Sequence, residues 1–183
     1  MNIKAFLFPI VVSFVSITAN AQTKQAEIVK NDSWMTYRLT HPLHEIEATS
    51  KDVVYHMDID AAKKEIHAVW ADVDVTTFDS GNSNRDSHAM EVIDAIDYPE
   101  ATFESSSVTP VGDSLHIAGK MTFHGVTKDI VLAVKPTWIS DSLKVVGSFE
   151  LSLTAFKIER PALLLIPVED ALHFTFAAVF VLH

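Results

Sequence analysis

Cysteine is missing altogether from the 183 residues. Its absence excludes disulfides, thiolate metal sites, a thiol nucleophile and a lipid-bearing cysteine, so the fold must rest on its apolar core. Basic residues are few: 14 Lys and Arg against 24 Asp and Glu give a formal net charge of −10, which sets the chain against nucleic acid and anionic bilayers. Beyond the N-terminal segment no apolar run approaches the ~20 residues of a spanning helix, so no stable membrane insertion is expected. The Gly-x-Ser-x-Gly elbow, the HExxH helix and the glycine-rich phosphate loop are also missing. The expectation is therefore no catalytic residue, no cofactor and no metal site.

What is present begins with Lys4, an apolar run over residues 5–17 and the triplet Ala19-Asn20-Ala21. This is the pattern of a secretory signal peptide over residues 1–21, leaving a mature domain of residues 22–183 that is exported, periplasmic or secreted. About 160 residues suit one domain with a substantial core.

Most of that domain alternates with period two, the mark of half-buried strands. Residues 34–41 set Met35, Tyr37 and Leu39 against polar neighbours, and residues 53–59 and 65–78 form a hairpin with a bulge expected midway along its second strand. Residues 101–108, 115–123, 128–139, 143–153 and 171–182 complete eight strands. Their short connections predict an all-β, eight-stranded antiparallel barrel, which removes exposed edges. A barrel of this size is either filled by side chains or holds one small ligand, and periodicity alone does not separate the two. The inward sets predict Phe103, Met121, Phe123, Val134, Phe149, Phe174 and Phe176 as lumen residues, with Phe156 near the mouth and small Gly119, Gly147 and Ala178 opposite some of them.

The strand pattern stops at residues 81–99. Asn82, Ser83 and Asn84 offer capping side chains, Asp86 adds first-turn negative charge, and Ala89, Met90, Val92, Ile93 and Ile96 make an apolar stripe that Pro99 ends. One short helix between the third and fourth strands, capping one end of the barrel, is the expectation. On the last strand the nominally outward Ala177, Val179 and Val181 are apolar as well. The helix, the N-terminal leader or a second copy in a homodimer must cover them.

Among polar groups, Arg85, Asp86 and His88 gather at the head of the helix, either as its structural cap or, through Arg85 and His88, as contacts to a polar head group at the mouth. The nine histidines are scattered over nearly every element and read as solvated or hydrogen-bonded. Asp72 and Asp74 read as an exposed acidic face, and Ser105 to Ser107 as polar positions of a strand.

The run Phe78-Asp79-Ser80-Gly81-Asn82-Ser83-Asn84-Arg85-Asp86-Ser87-His88, then Tyr98-Pro99-Glu100-Ala101-Thr102-Phe103-Glu104-Ser105, closely resembles the YceI-like family. So do His124-Gly125-Val126-Thr127-Lys128 and the late loop before Asp170. The resemblance covers essentially the whole mature chain. It implies a secreted or periplasmic, lipocalin-like eight-stranded barrel that holds a polyisoprenoid or another long amphiphilic lipid in its lumen, without catalytic activity. Two departures stand out. Phe156-Lys157-Ile158 replaces the family's usual Phe-Gly-Ile, adding Lys157 to the head-group candidates, and Glu47-Ala48-Thr49-Ser50 replaces an early Gly-x-Phe segment; both are expected in loops framing the opening. The leading reading is a non-enzymatic lipid carrier or store. The alternative is a structural or interaction module with a packed core, acting through the apolar outer face of the last strand.

Overall fold

The computed structural model describes residues 26–182. The expected signal peptide and the start of the mature chain lie outside them. The elements run β1 (Ala26–Ile28), β2 (Trp34–His41), β3 (His44–Ser50), β4 (Val53–Asp60), β5 (Glu65–Asp74), α1 (Ser83–Val92), β6 (Glu100–Val111), β7 (Ser114–Phe123), β8 (Val126–Ile139), β9 (Ser142–Ser152), the small hairpin β10 (Ala162–Leu163) and β11 (Ile166–Pro167), and β12 (Ala171–Leu182). Nine strands pair in the order β3-β2-β12-β9-β8-β7-β6-β5-β4, all antiparallel, and β1 adds to the end of β12.

All eight expected strands are there, but the sheet holds more than eight. The expected loop over residues 44–50 is strand β3, where Ile46, Ala48 and Ser50 alternate with Glu45, Glu47 and Thr49. Only one of its inward residues is large and apolar, which hides the period. With β1 and β3 added upstream, the helix falls between β5 and β6 rather than between a third and a fourth strand.

The result is a curled half-barrel sheet. Its terminal strands β3 and β4 are not joined by a ladder. Instead Thr49 and Asp79 exchange backbone hydrogen bonds of 3.0 and 3.1 Å, and the Ser50 and Thr77 hydroxyls meet at 2.6 Å. The bulge expected midway along β5 lies instead near its start, where His67 is the extra residue and the β4–β5 register shifts at Asp58/Ile59. A second bulge at Ser105/Ser107 leaves Ser105 Oγ to accept the Val69 amide at 2.8 Å.

Asn82 caps α1, its side chain accepting from the Arg85 amide. The helix ends sooner than its apolar stripe suggests. Asp94 turns left-handed (φ 48°), the Ala95 amide bonds back to the Met90 carbonyl at 2.9 Å and the Asp94 amide to that of Glu91, a Schellman stop. Ala95 is thereby buried and Ile96 turned outward, 97% exposed.

The chain's own leader runs along the end of β12 and shields part of its outer side. Trp34 pairs with Ala177, Val29 N–H donates to the Val179 carbonyl at 2.8 Å, and Val179 N–H donates to Ser33 Oγ at 3.0 Å. Ala177 is buried and Val179 half-buried in consequence. Among the described residues no helix is long and apolar enough to cross a membrane.

Candidate ligand-binding lumen

The inward faces of the sheet enclose a cavity of about 200 Å³. A single water needs roughly 10–15 Å³ on this measure, so the interior is a lumen rather than a packing defect. Of the eight residues expected to bind ligand, seven line it: Phe103, Met121, Phe123, Val134, Phe149, Phe174 and Phe176. They form an aromatic tier on neighbouring strands. Phe149 and Phe174 stack with ring centroids 4.7 Å apart and planes 6° from parallel, Phe176 tilts against Phe149 at 6.3 Å, and Tyr37 meets both Phe174 and Phe78. The tier fits because glycine lies beneath two of its rings: a Cβ on Gly147 would meet Phe176 Cζ at 2.7 Å, and one on Gly119 would meet Phe103 Cζ at 2.6 Å.

The eighth residue, Phe156, is a correction. It is buried, packs on Phe123 at 5.8 Å and does not line the cavity. It sits in a one-turn 3₁₀ segment, Thr154–Phe156, that folds it under the sheet end instead of over the mouth. Lys157 is a second correction. It is exposed, lies outside the lining and occupies the left-handed C-cap of that turn (φ 61°). What the family's glycine supplies here is thus a positive φ.

The mouth is framed by α1, whose Arg85, Asp86, His88 and Met90, with the C-cap Ile93, reach the lining. Arg85 is turned back on its own loop, donating from Nε to Ser80 Oγ and from Nη2 to the Ser80 carbonyl, both at 2.8 Å; Asp86 accepts from the Ser80 amide. Both act first as the loop's internal frame. His88 is exposed, its Nδ1 3.7 Å from a Glu91 carboxylate oxygen. Burial, with help from the Asp86 carboxylate, raises the Tyr37 phenol above its ordinary range. Asp72, expected on an exposed acidic face, is half-buried at the lining, and burial together with Glu100 and Asp74 pushes its carboxyl up.

Other sequence features hold the mouth in shape. His124 donates from Nδ1 to the Phe156 carbonyl at 3.0 Å and sets Nε2 3.2 Å from an Asp94 carboxylate oxygen, bracing the turn after α1. Tyr98 packs on the His124 ring at 4.8 Å and over Gly125, where a Cβ would meet it at 2.5 Å. The Tyr-Pro and His-Gly motifs are therefore one clamp. Asp170 ties the start of β12 to the end of β9, accepting from Ser152 Oγ and from the Thr154 amide at 2.9 Å. Those bonds hold its carboxyl below the usual range.

Sequence reasoning did not single out Tyr37, Leu39, Ile46, Tyr55 and Met57, which add to the lining from β2, β3 and β4. Alternation had already placed Tyr37 and Leu39 on one face of their strand, whereas Ile46 lay in the unrecognised strand. Away from the lumen, Asp60, Glu65 and His67 come together at the β4–β5 turn, where Lys63 engages Asp60 at 2.8 Å.

Comparison with known proteins gives one consistent result. The YceI-like domain model matches residues 20–180. A UPF0312 protein of Azotobacter vinelandii is 28% identical over 138 residues, 70% of this chain and 72% of that one. Protein YceI of Escherichia coli is 29% identical over 131 residues, 67% and 69% of the two chains. Among solved structures, Burkholderia cenocepacia BcnA superposes with a TM-score of 0.76 at 21% identity, covering 84% of this chain and 99% of that one. A polyisoprenoid binding domain from Saccharophagus degradans, implicated in plant cell wall breakdown, gives 0.64 at 11% identity, covering 88% and 99%. At these identities the structural likeness is one of fold.

Proposed function

The chain belongs to the YceI-like family, and on that footing we propose that it is a non-enzymatic binder and carrier of a polyisoprenoid or other long-chain amphiphilic lipid, exported to the periplasm or secreted. The observation that carries this reading is the apolar lumen with its aromatic tier, open beside α1. The polyisoprenoid-binding domain of like fold supports the ligand class.

Burial supplies the affinity. At ~25 cal/mol per Å², removing roughly 300–400 Å² of tail from water gives about 8–10 kcal/mol before ordering costs. Chain length then governs selectivity more than head group. A head left at the mouth meets Arg85 and His88, and Lys157 lies outside the lining.

Two observations weigh against the packed-core alternative. The interior holds a cavity, and on the β12 face proposed as its working surface, and as a homodimer contact, Ala177 is buried and the leader runs alongside half-buried Val179. The test is to mix the delipidated mature protein with a polyprenol and pass it through gel filtration. Co-elution of one polyprenol per chain is expected; elution of bare protein at saturating polyprenol would refute lumenal carriage.

A further inference from the structure

One apolar segment is left in water by the fold: the hairpin β10–β11, whose run Ala162-Leu163-Leu164-Leu165-Ile166-Pro167 carries no charge. Its strands pair with each other and stand apart from the main sheet. Leu163 to Ile166 are all exposed, Leu164 by 76% and Leu165 by 97%. These two leucines hold the left-handed backbone (φ 52° and 65°) of a two-residue turn that Asn-Gly would make without strain. Bulky apolar side chains thus stand at the tip against the turn's own preference, and strain of this kind collects where a segment has work to do.

The base of the hairpin is pinned. Buried His41 donates from Nε2 to the Ile166 carbonyl at 3.0 Å and accepts at Nδ1 from the Leu43 amide. The Val168 amide donates to the Pro161 carbonyl at 2.9 Å, the Glu169 amide to that of Thr40 at 2.8 Å, and the Arg160 guanidinium turns in to the Val168 carbonyl. Pro161 lines the lumen, so the tip rises from the rim of the mouth. The same end of the sheet carries exposed Leu43 in the β2–β3 turn and Ile96 behind α1. At the opposite end the turns β4–β5, β6–β7 and β8–β9 each hold a charged residue, among them Lys63, Asp113 and Asp141.

This polarity fits a bilayer better than a protein. Four side chains on a convex tip fall far short of the about 20–30 residues a side of a stable protein interface, so a second copy would find too little to bury. Acyl chains need no matching shape. The net charge of −10 offers nothing to anionic head groups, so the attachment rests on apolar insertion and is reversible, as for a single acyl anchor.

We propose that the β10–β11 hairpin is a membrane-contact tip: Leu163 to Ile166 dip into the acyl region of a phospholipid bilayer and hold the mouth of the lumen to its surface. On the lumenal carrier reading, on which this second step rests, cargo passes between bilayer and lumen there.

The experiment floats the mature wild type and the double variant Leu164→Asn, Leu165→Gly on a density gradient with phosphatidylcholine vesicles. Wild type is expected to bind with a constant on the order of 10⁴ M⁻¹, that of a single acyl anchor. The variant should bind at least about tenfold more weakly. It should melt no lower than wild type and take up as much diphenylhexatriene, a hydrocarbon fluorophore that needs only an apolar lumen, when this is added from ethanol. Replacing part of the phosphatidylcholine by phosphatidylglycerol should weaken wild-type binding, and salt should restore it. Wild type that stays behind the vesicles, a variant that floats as fully as wild type, or binding that phosphatidylglycerol strengthens overturns the proposal. A wild-type dimer in gel filtration that the variant loses would give the tip to a second copy and overturn it as well. No uptake of diphenylhexatriene by wild type overturns the carrier reading, while flotation still decides the tip.

Discussion

Gly147 on β9 lies directly beneath Phe176 on β12: a Cβ built on the glycine would meet the ring's Cζ at 2.7 Å and Val134 Cγ1 at 2.9 Å. Both neighbours line the lumen, so the glycine sets how far the aromatic tier retreats from the cavity. Gly147→Ala must push a ring or a valine inward. It is expected to cost about 1–3 kcal/mol, seen as a melting temperature several degrees lower, and to reduce diphenylhexatriene uptake. A variant that melts and loads like wild type would show that the tier is not held there by the glycine.

The stacked pair Phe149 and Phe174 provides a test of the lumen itself. Phe149→Glu places a carboxylate in an apolar tier with no cation beside it, and uptake of an isoprenoid alcohol should fall at least tenfold, the order expected for an unpaired buried charge. Phe149→Leu keeps the apolar wall and should keep uptake. Circular dichroism separates loss of binding from loss of fold. Undiminished uptake by the glutamate variant would argue against lumenal binding.

How much of this was legible in the sequence depended on what each residue type records. Leu115, Ile117, Gly119, Met121 and Phe123 alternate cleanly, and the side of the sheet they share is the one the structure buries. Strand β3 kept the period but not the bulk, because Ala48 and Ser50 fill inward sites usually marked by larger side chains. Ile96 fits the helical stripe by spacing alone; the left-handed Asp94 that breaks the helix has no sequence mark as plain as a glycine. Phe156 went wrong for a similar reason, since alternation carries no information once the chain leaves the strand for a 3₁₀ turn. That the buried Tyr55 hydroxyl has no hydrogen-bond partner among the described residues is legible only in three dimensions.

Three side chains in the segment between β9 and β12 hold left-handed backbone that favours glycine: Lys157 (φ 61°), Leu164 (φ 52°) and Leu165 (φ 65°). Lys157→Gly should stabilise by about 0.5–1 kcal/mol by relieving the Cβ clash. Replacing Leu164-Leu165 with Asn-Gly suits the two-residue hairpin turn and should stabilise by about 1 kcal/mol. Neither change should alter uptake, since none of the three lines the lumen. Urea unfolding followed by Trp fluorescence measures the gain, and a loss of affinity in Lys157→Gly would restore that lysine as a head-group contact.

Asp170 gives the acid dependence. Its hydrogen bonds from Ser152 and Thr154 lower its folded pKa below the unfolded value near 4, so its stabilisation is complete above that pH and is lost as the pH falls through the folded pKa. Asp170→Asn should therefore be less stable than wild type at neutral pH, with the gap narrowing below pH ~4. A gap that stays constant with pH would mean the carboxylate charge contributes nothing at this latch.

The central claim is that the lumen carries an apolar chain. The most direct measurement is native mass spectrometry of the mature protein purified without detergent, with organic extraction and identification of whatever is released. The account predicts a discrete added mass, one isoprenoid or long-chain amphiphile per chain, that extraction removes. A clean apo mass that takes up neither isoprenoid quinones nor fatty amides on incubation would contradict it.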